Sequence, residues 1–169
     1  MPGPDLTRVA DYFHTYTNKV PENDLSTAFK NQSTLLNPFF KNIPEEKIDY
    51  RYAEGKWTVK EMLQHLIDAE RVFAYRALCF ARKDSTPLPS FDENLYADNS
   101  QADKRDWNEM LEEFWAVRKT TEMLFNSFDD EQLDSSGIAS NNKHYVLGLG
   151  YIIVGHVNHH VGVLKERYF

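Results

Sequence analysis

From His144 to Leu164 the chain reads HYVLGLGYIIVGHVNHHVGVL, a stretch without a single Asp, Glu, Lys or Arg. Its length would suffice to cross a bilayer. Yet His144, His156, Asn158, His159 and His160 are all costly in hydrocarbon. The same residues suit the buried helix of a helical bundle, apolar around most of its circumference. We read the stretch as that helix and not as a membrane span. The fold then turns on whether the rest of the chain supplies the helices to surround it.

Three further segments do so. Asp24 can cap a helix reaching about Asn42, with Leu25, Ala28, Phe29, Gln32, Leu35, Leu36, Phe39 and Phe40 at helical spacing. Pro38 falls inside this pattern and predicts a kink or an early end. Thr58 and Glu61 form a capping box, each side chain satisfying an orphan amide of the first turn. They open a helix to about Lys83 whose inward residues are Val59, Met62, Leu63, Leu66, Ala69, Val72, Phe73, Ala77 and Phe80. A third long helix fits 102–127, with Trp107, Met110, Leu111, Phe114, Val117, Thr121, Leu124 and Phe125 as its stripe. A shorter helix over 5–17, capped by Asp5 or Thr7, precedes them. Residues 84–101 carry Pro87 and Pro89 and no period, and read as a long connection. A second polar connection, 129–144, allows a helical turn at 130–133. Four long amphipathic helices with one long crossover between the second and third predict an all-α four-helix bundle, a single domain over 1–169. The long 84–101 connection lets its two flanking helices run parallel.

The charge balance narrows the partners. Nineteen basic and twenty-six acidic residues give a net charge of −7, which supports neither nucleic acid nor an anionic membrane as partner. A lone cysteine, Cys79, excludes an internal disulfide and reads as a small core residue. Met1 to Asp5 lack the basic and apolar regions of a secretory signal, so the expected compartment is the cytoplasm. Gly148-Leu149-Gly150 hints at a dinucleotide loop, but Ile153 stands where a third glycine belongs and no strand precedes it.

Of six histidines, His156 and His160 stand out. Their i, i+4 spacing sets them about 40° apart on one helix face, the apolar one shared with Leu149, Ile152, Ile153 and Val163. His159 falls toward its edge. Imidazoles inside a core stripe need partners, because an unpaired buried polar group costs ~1–3 kcal/mol. A metal ion satisfies both, and an i, i+4 histidine pair is a familiar zinc-ligand geometry. His65, at the flank of the second helix's stripe, is a third candidate, and a His₃ set leaves coordination positions open. Asp68 or Glu70 could accept the second N–H of a ligand histidine. The alternative is that the pair is hydrogen bonded to carboxylates or water inside the bundle, with His65 a polar edge residue. His14 reads as a surface residue and His144 as a loop or cap residue. Trp57 reads as a staple at the helix entry, with pocket lining as the second reading. Arg71, Arg76, Arg118 and Arg167 could bind an acidic substrate or pair with acids across helices, and Arg76 shares His65's side of its helix. Tyr151 and Asn158 could also reach the pocket.

The segments WTVKEMLQHLIDAER (57–71) and GHVNHH (155–160), the latter followed by LKERY (164–168), resemble the two motifs of the DinB/YfiT-like superfamily. The likeness runs from about residue 20 to the end. It implies an up-down-down-up four-helix bundle, a homodimer, and a divalent metal, zinc or nickel, held by His65, His156 and His160. It further implies a thiol-dependent S-transferase or a hydrolase acting on a small electrophilic molecule, with a low-molecular-weight thiol as cosubstrate in the first case. The other class of function left open is a non-catalytic, metal-stabilised bundle that binds a ligand or a partner.

Overall fold

Acidic side chains open most of the helices. The computed structural model describes residues 1–169. Its elements are α1 (Asp11–Thr17), α2 (Leu25–Lys41), α3 (Glu45–Ile48), α4 (Val59–Ala81), α5 (Glu93–Asn99), α6 (Trp107–Asn126), α7 (Asp130–Asp134), β1 (Ser136–Ala139), β2 (Asn142–Tyr145) and α8 (Val146–Arg167). Asp24 accepts from Thr27 N at 2.8 Å and also holds the N-terminal ammonium. The capping box of α4 is complete, with Glu61 N donating to Thr58 Oγ1 at 3.1 Å and Thr58 N to Glu61 Oε2 at 2.7 Å. Asp92 and Asp106 cap α5 and α6 in the same way. A carboxylate at this end both accepts the orphan amides and complements the helix dipole.

Contacts between the long helices fix the topology. Phe29 meets Phe125 and Phe40 meets Phe114, so α2 and α6 are antiparallel. Arg105 bonds Gln64 and Arg118 bonds Glu70, so α4 and the chain entering α6 run the same way. His65 meets His160 and Phe73 meets His156, so α4 and α8 are antiparallel. The bundle is therefore up-down-down-up, with the crossover between α4 and α6. α8, which carries the uncharged segment, is largely enclosed, with Val146, Leu149, Tyr151, Ile152, Ile153 and Val154 all buried.

The core has two halves. One gathers around Phe29, Phe73, Phe80, Phe125 and Tyr151, the other around Phe40, Leu63, Leu66, Met110 and Phe114. Between them lies a buried polar layer. Arg118 donates from Nε and Nη2 to the two carboxylate oxygens of Glu70, at 2.9 and 2.8 Å, and from Nη1 to Gln32 Oε1. Gln32 in turn donates to Val154 O at 2.7 Å and to Asn158 Oδ1 at 2.6 Å. All four bundle helices are thereby tied at one level.

Several sequence expectations are adjusted. α2 continues through Pro38 to Lys41, because a proline in the last turn forfeits only one amide bond. The third long helix starts at Trp107 and not at 102; Asp106 is its cap, and a 3₁₀ turn, Ala102–Lys104, precedes it. The N-terminal segment is a 3₁₀ turn capped by Asp5 and then α1. The 84–101 connection contains α5, and the second connection contains, besides the expected helical turn (α7), the β1–β2 hairpin. Leu88 N donates to Ile138 O and Ser140 N to Leu88 O, so the crossover is stitched to the hairpin.

Glu70→Ala leaves the Arg118 cation buried without its counter-ion. We expect urea denaturation to read a loss of about 3–5 kcal/mol for it, and the double variant Glu70→Leu/Arg118→Met to recover most of that loss.

Candidate metal centre

His65 sits in the second turn of α4, close behind the capping box, and is 8% exposed. His156 and His160 come from successive turns of α8. The backbone beside them is set by Gly155: a Cβ there would lie 2.1 Å from Tyr16 O. Only glycine lets α1 approach so closely. That approach brings the Tyr16 ring within 5.2 Å of the His156 ring and 5.3 Å of the His159 ring.

The three Nε2 atoms converge. His156 Nε2 lies 3.0 Å from His65 Nε2 and 3.1 Å from His160 Nε2, and one ligand atom from each residue falls within 4.8 Å of the others. As a purely hydrogen-bonded cluster this is poorly satisfied. His156 Nε2 serves two neighbours with a single proton or lone pair, and His160 Nδ1 is buried without a partner. Three imidazoles meeting through the same nitrogen, with no carboxylate competing, fit a divalent transition-metal ion. Burial pushes the His65 pKa down to about 4. It holds His160 at about 3, with His65 and His159 lowering it further, and puts His156 well below the usual value. All three are neutral at pH 7, the state a ligand needs.

The triad opens into a cavity of about 390 Å³ whose lining includes Tyr12, Phe13, Tyr16, Trp57, Phe73, Arg76, Phe91, Glu93 and Ser140. The Trp57 ring lies 4.7 Å from that of His65, tilted against it, and Phe73 lies 5.9 Å from His156. An ion here would be reached through an aromatic, largely apolar chamber.

The other sequence candidates fall elsewhere. Asp68 accepts from Gln64 at 2.9 Å and Glu70 is engaged with Arg118, so neither orients a triad histidine. Arg71 pairs with Glu113 at 2.7 Å. Arg118 belongs to the polar layer, and Arg167 lies over Tyr52. Tyr151 donates to Pro2 O, and Asn158 bonds Gln32 and Lys19 O. Trp57 combines both of its readings, packing against the second core half and lining the cavity. His144 is not a loop residue: it lies in β2, 2% exposed, against Phe13 at 5.2 Å. His14 is half-buried, its Nε2 within reach of Leu6 O and Val9 O. The contributions of α1, Phe91 and the hairpin escaped the sequence reading; Gly155 beside His156 is the one residue that signals a close neighbour.

The model of the DinB superfamily matches residues 28–164 of this chain. No curated protein matches it significantly. Among solved structures, YfiT from Bacillus subtilis is similar at a TM-score of 0.68 and 15% identity, over 96% of this chain and 89% of that one. It is described as a probable metal-dependent hydrolase with an unusual four-helix bundle topology. At that identity the likeness speaks for the fold.

The depressed histidines couple stability to pH. Their folded pKa values, about 4 for His65 and His144 and about 3 for His160, lie below that of the unfolded chain. As pH falls, the unfolded state takes up protons first, so stability is complete above about pH 6.5 and declines below it. Thermal melts of chelator-treated protein should show Tm falling between about pH 6.5 and 5, above the range where most carboxylates titrate. A constant Tm across that window would contradict the buried, neutral triad.

Proposed function

The chain belongs to the DinB superfamily, and on that premise we propose that it is a divalent-metal-dependent enzyme that adds a nucleophile, a low-molecular-weight thiol or water, to a small electrophilic molecule. The observation that carries this reading is the convergence of His65, His156 and His160 at the wall of an open cavity. A purely structural site would be sealed by a fourth protein ligand, and no other His, Cys, Asp or Glu joins the three.

His65, His156 and His160 would hold a zinc or nickel ion, which would supply Lewis acidity toward a thiol or water. The chain's own residues do the rest. Burial keeps the imidazoles unprotonated and available. Trp57, Tyr16 and Phe73 crowd the triad with rings, which exclude bulk water and favour an apolar substrate body. Burial, reinforced by the neighbouring Tyr12, pushes the Tyr16 phenol well above its ordinary pKa. It therefore stays protonated at pH 7 and is available as a hydrogen-bond donor.

Elemental analysis of protein purified without an affinity tag should find about one divalent ion per chain. His65→Ala, His156→Ala and His160→Ala should each lose it on dialysis against a chelator, whereas His159→Ala and His14→Ala should keep it. Full occupancy in His65→Ala would sink the three-histidine site. A screen of the loaded protein against electrophiles then separates the two chemistries. Turnover only with added thiol means S-transfer, and turnover in its absence means hydrolysis. No turnover with either, across amide, ester and alkylating substrates, counts against an enzyme.

A further inference from the structure

Two arginines are buried in this protein, and only one has a counter-ion. Arg118, 2% exposed, is bound on both faces of its fork by Glu70 and by Gln32. Arg76, 3% exposed, takes part in none of the chain's ion pairs. Its two hydrogen bonds both come from Nη2, to Pro89 O at 3.0 Å and to Ser140 Oγ at 2.9 Å. Its guanidinium carbon lies 5.7 Å from the Phe73 ring and 5.9 Å from that of Phe91. Burial alone shifts its pKa, downward, with no carboxylate restoring it. A guanidinium nonetheless remains charged. A desolvated cation without an acid partner is expensive to maintain, unless a ligand provides the negative charge.

Its seat is built. The crossover and the hairpin, joined through Leu88, deliver Pro89 and Ser140 to the same guanidinium nitrogen. Ser140 and Asn141 form the two-residue hairpin turn with φ of 51° and 61°. Such left-handed positions favour Asn, Asp and Gly, so Ser140 is the unusual occupant. Arg76 also faces the same cavity as the triad, and the Phe73 ring contacts both Arg76 and His156.

We propose that Arg76 is the anion-recognising end of the triad cavity, binding the carboxylate of a small monoanionic substrate whose apolar body lies along the aromatic wall toward His65, His156 and His160. This rests on the reading of that cavity as a substrate pocket and adds the class of molecule it takes. The charge at this end of the cavity is single because one guanidinium compensates one negative charge there. Glu93, the one acidic residue of the lining, is exposed and opposes a second. The body is apolar or aromatic because Tyr12, Phe13, Tyr16, Phe73 and Phe91 line the path.

The test uses 4-phenylbutyrate and its neutral amide as probes, titrated calorimetrically into the full-length, chelator-treated protein, where metal coordination contributes nothing. The acid should bind about tenfold or more tightly than the amide, as a charge-assisted fork contact predicts. Arg76→Gln should bring that ratio close to one. Arg76→Lys should keep part of it, because the charge stays and the fork is lost. Glu93→Gln, at an exposed position, should tighten the acid several-fold and leave the amide unchanged. Equal binding of the two probes by the wild-type protein, no binding of either at millimolar concentration, or a full acid preference in Arg76→Gln overturns the proposal. If Arg76→Gln does not fold, an acid preference unmoved by both Arg76→Lys and Glu93→Gln overturns it. Metal stoichiometry is read separately. Protein that prefers the acid yet takes up no metal retains Arg76's role and removes the metal reading. Protein that takes up metal yet binds acid and amide alike does the reverse.

Discussion

The structure depends on one buried charge pair. Arg118 and Glu70 lie between the two halves of the core, and through Gln32 and Asn158 their network reaches α2 and α8. A hydrophobic bundle tolerates sliding of one helix along another, because apolar contacts are non-directional. A guanidinium fork on a carboxylate does not, because both hydrogen bonds fail together when the register shifts. Such a pair adds little net stability over well-packed apolar residues. Its consequence here is register: α4 and α8 are held at the one offset that brings His65 opposite His156 and His160.

The triad's environment follows from the same packing. The rings of Tyr16, Trp57 and Phe73 around the histidines raise the cost of protonating any of them. Proximity adds to it, since a proton on one imidazole repels a proton on the next. The cluster is therefore a set of lone pairs at neutral pH, and the depression that destabilises the fold in mild acid is also what a ligand set would need. Desolvation that weakens the fold and readiness to bind an ion have one cause.

Much of this was legible in the sequence, for identifiable reasons. The Thr58–Glu61 capping box and the four apolar stripes are local, periodic signals, and they placed α2, α4, α6 and α8 to within a few residues. The i, i+4 spacing of His156 and His160 inside an apolar stripe pointed to the site, and the motif resemblance brought in His65. That Arg118 could pair with an acid across helices was legible, but its partner Glu70, 48 residues away, was not; Gln32 inside an apolar stripe was a further trace of the network. The short elements that were missed carry no period. α5 is seven residues long and exposes Leu95 and Tyr96. The hairpin turns on Ser140 and Asn141, where a sequence signal would have been Asn-Gly or Asp-Gly. The docking of α1 on α8 depends on one absent side chain, at Gly155, and a helical glycine by itself does not tell which backbone lies against it.

The division between what was legible and what was not follows the division of labour in the molecule. Ligand positions sit on long helices whose register is fixed by buried, directional contacts, and long helices are what periodicity reveals. The cavity walls come from α1, the crossover and the hairpin, which are short and joined by a few backbone bonds such as those at Leu88. Such elements are shorter than the bundle helices, and their exposed positions can change residue type without disturbing the bundle's register. A fold so arranged can keep one histidine geometry while the walls around it change. Arg76 spans the two parts, with its backbone on α4 and its hydrogen bonds to the crossover and the hairpin. That placement puts the cation on the rigid part and leaves its selectivity to the variable one.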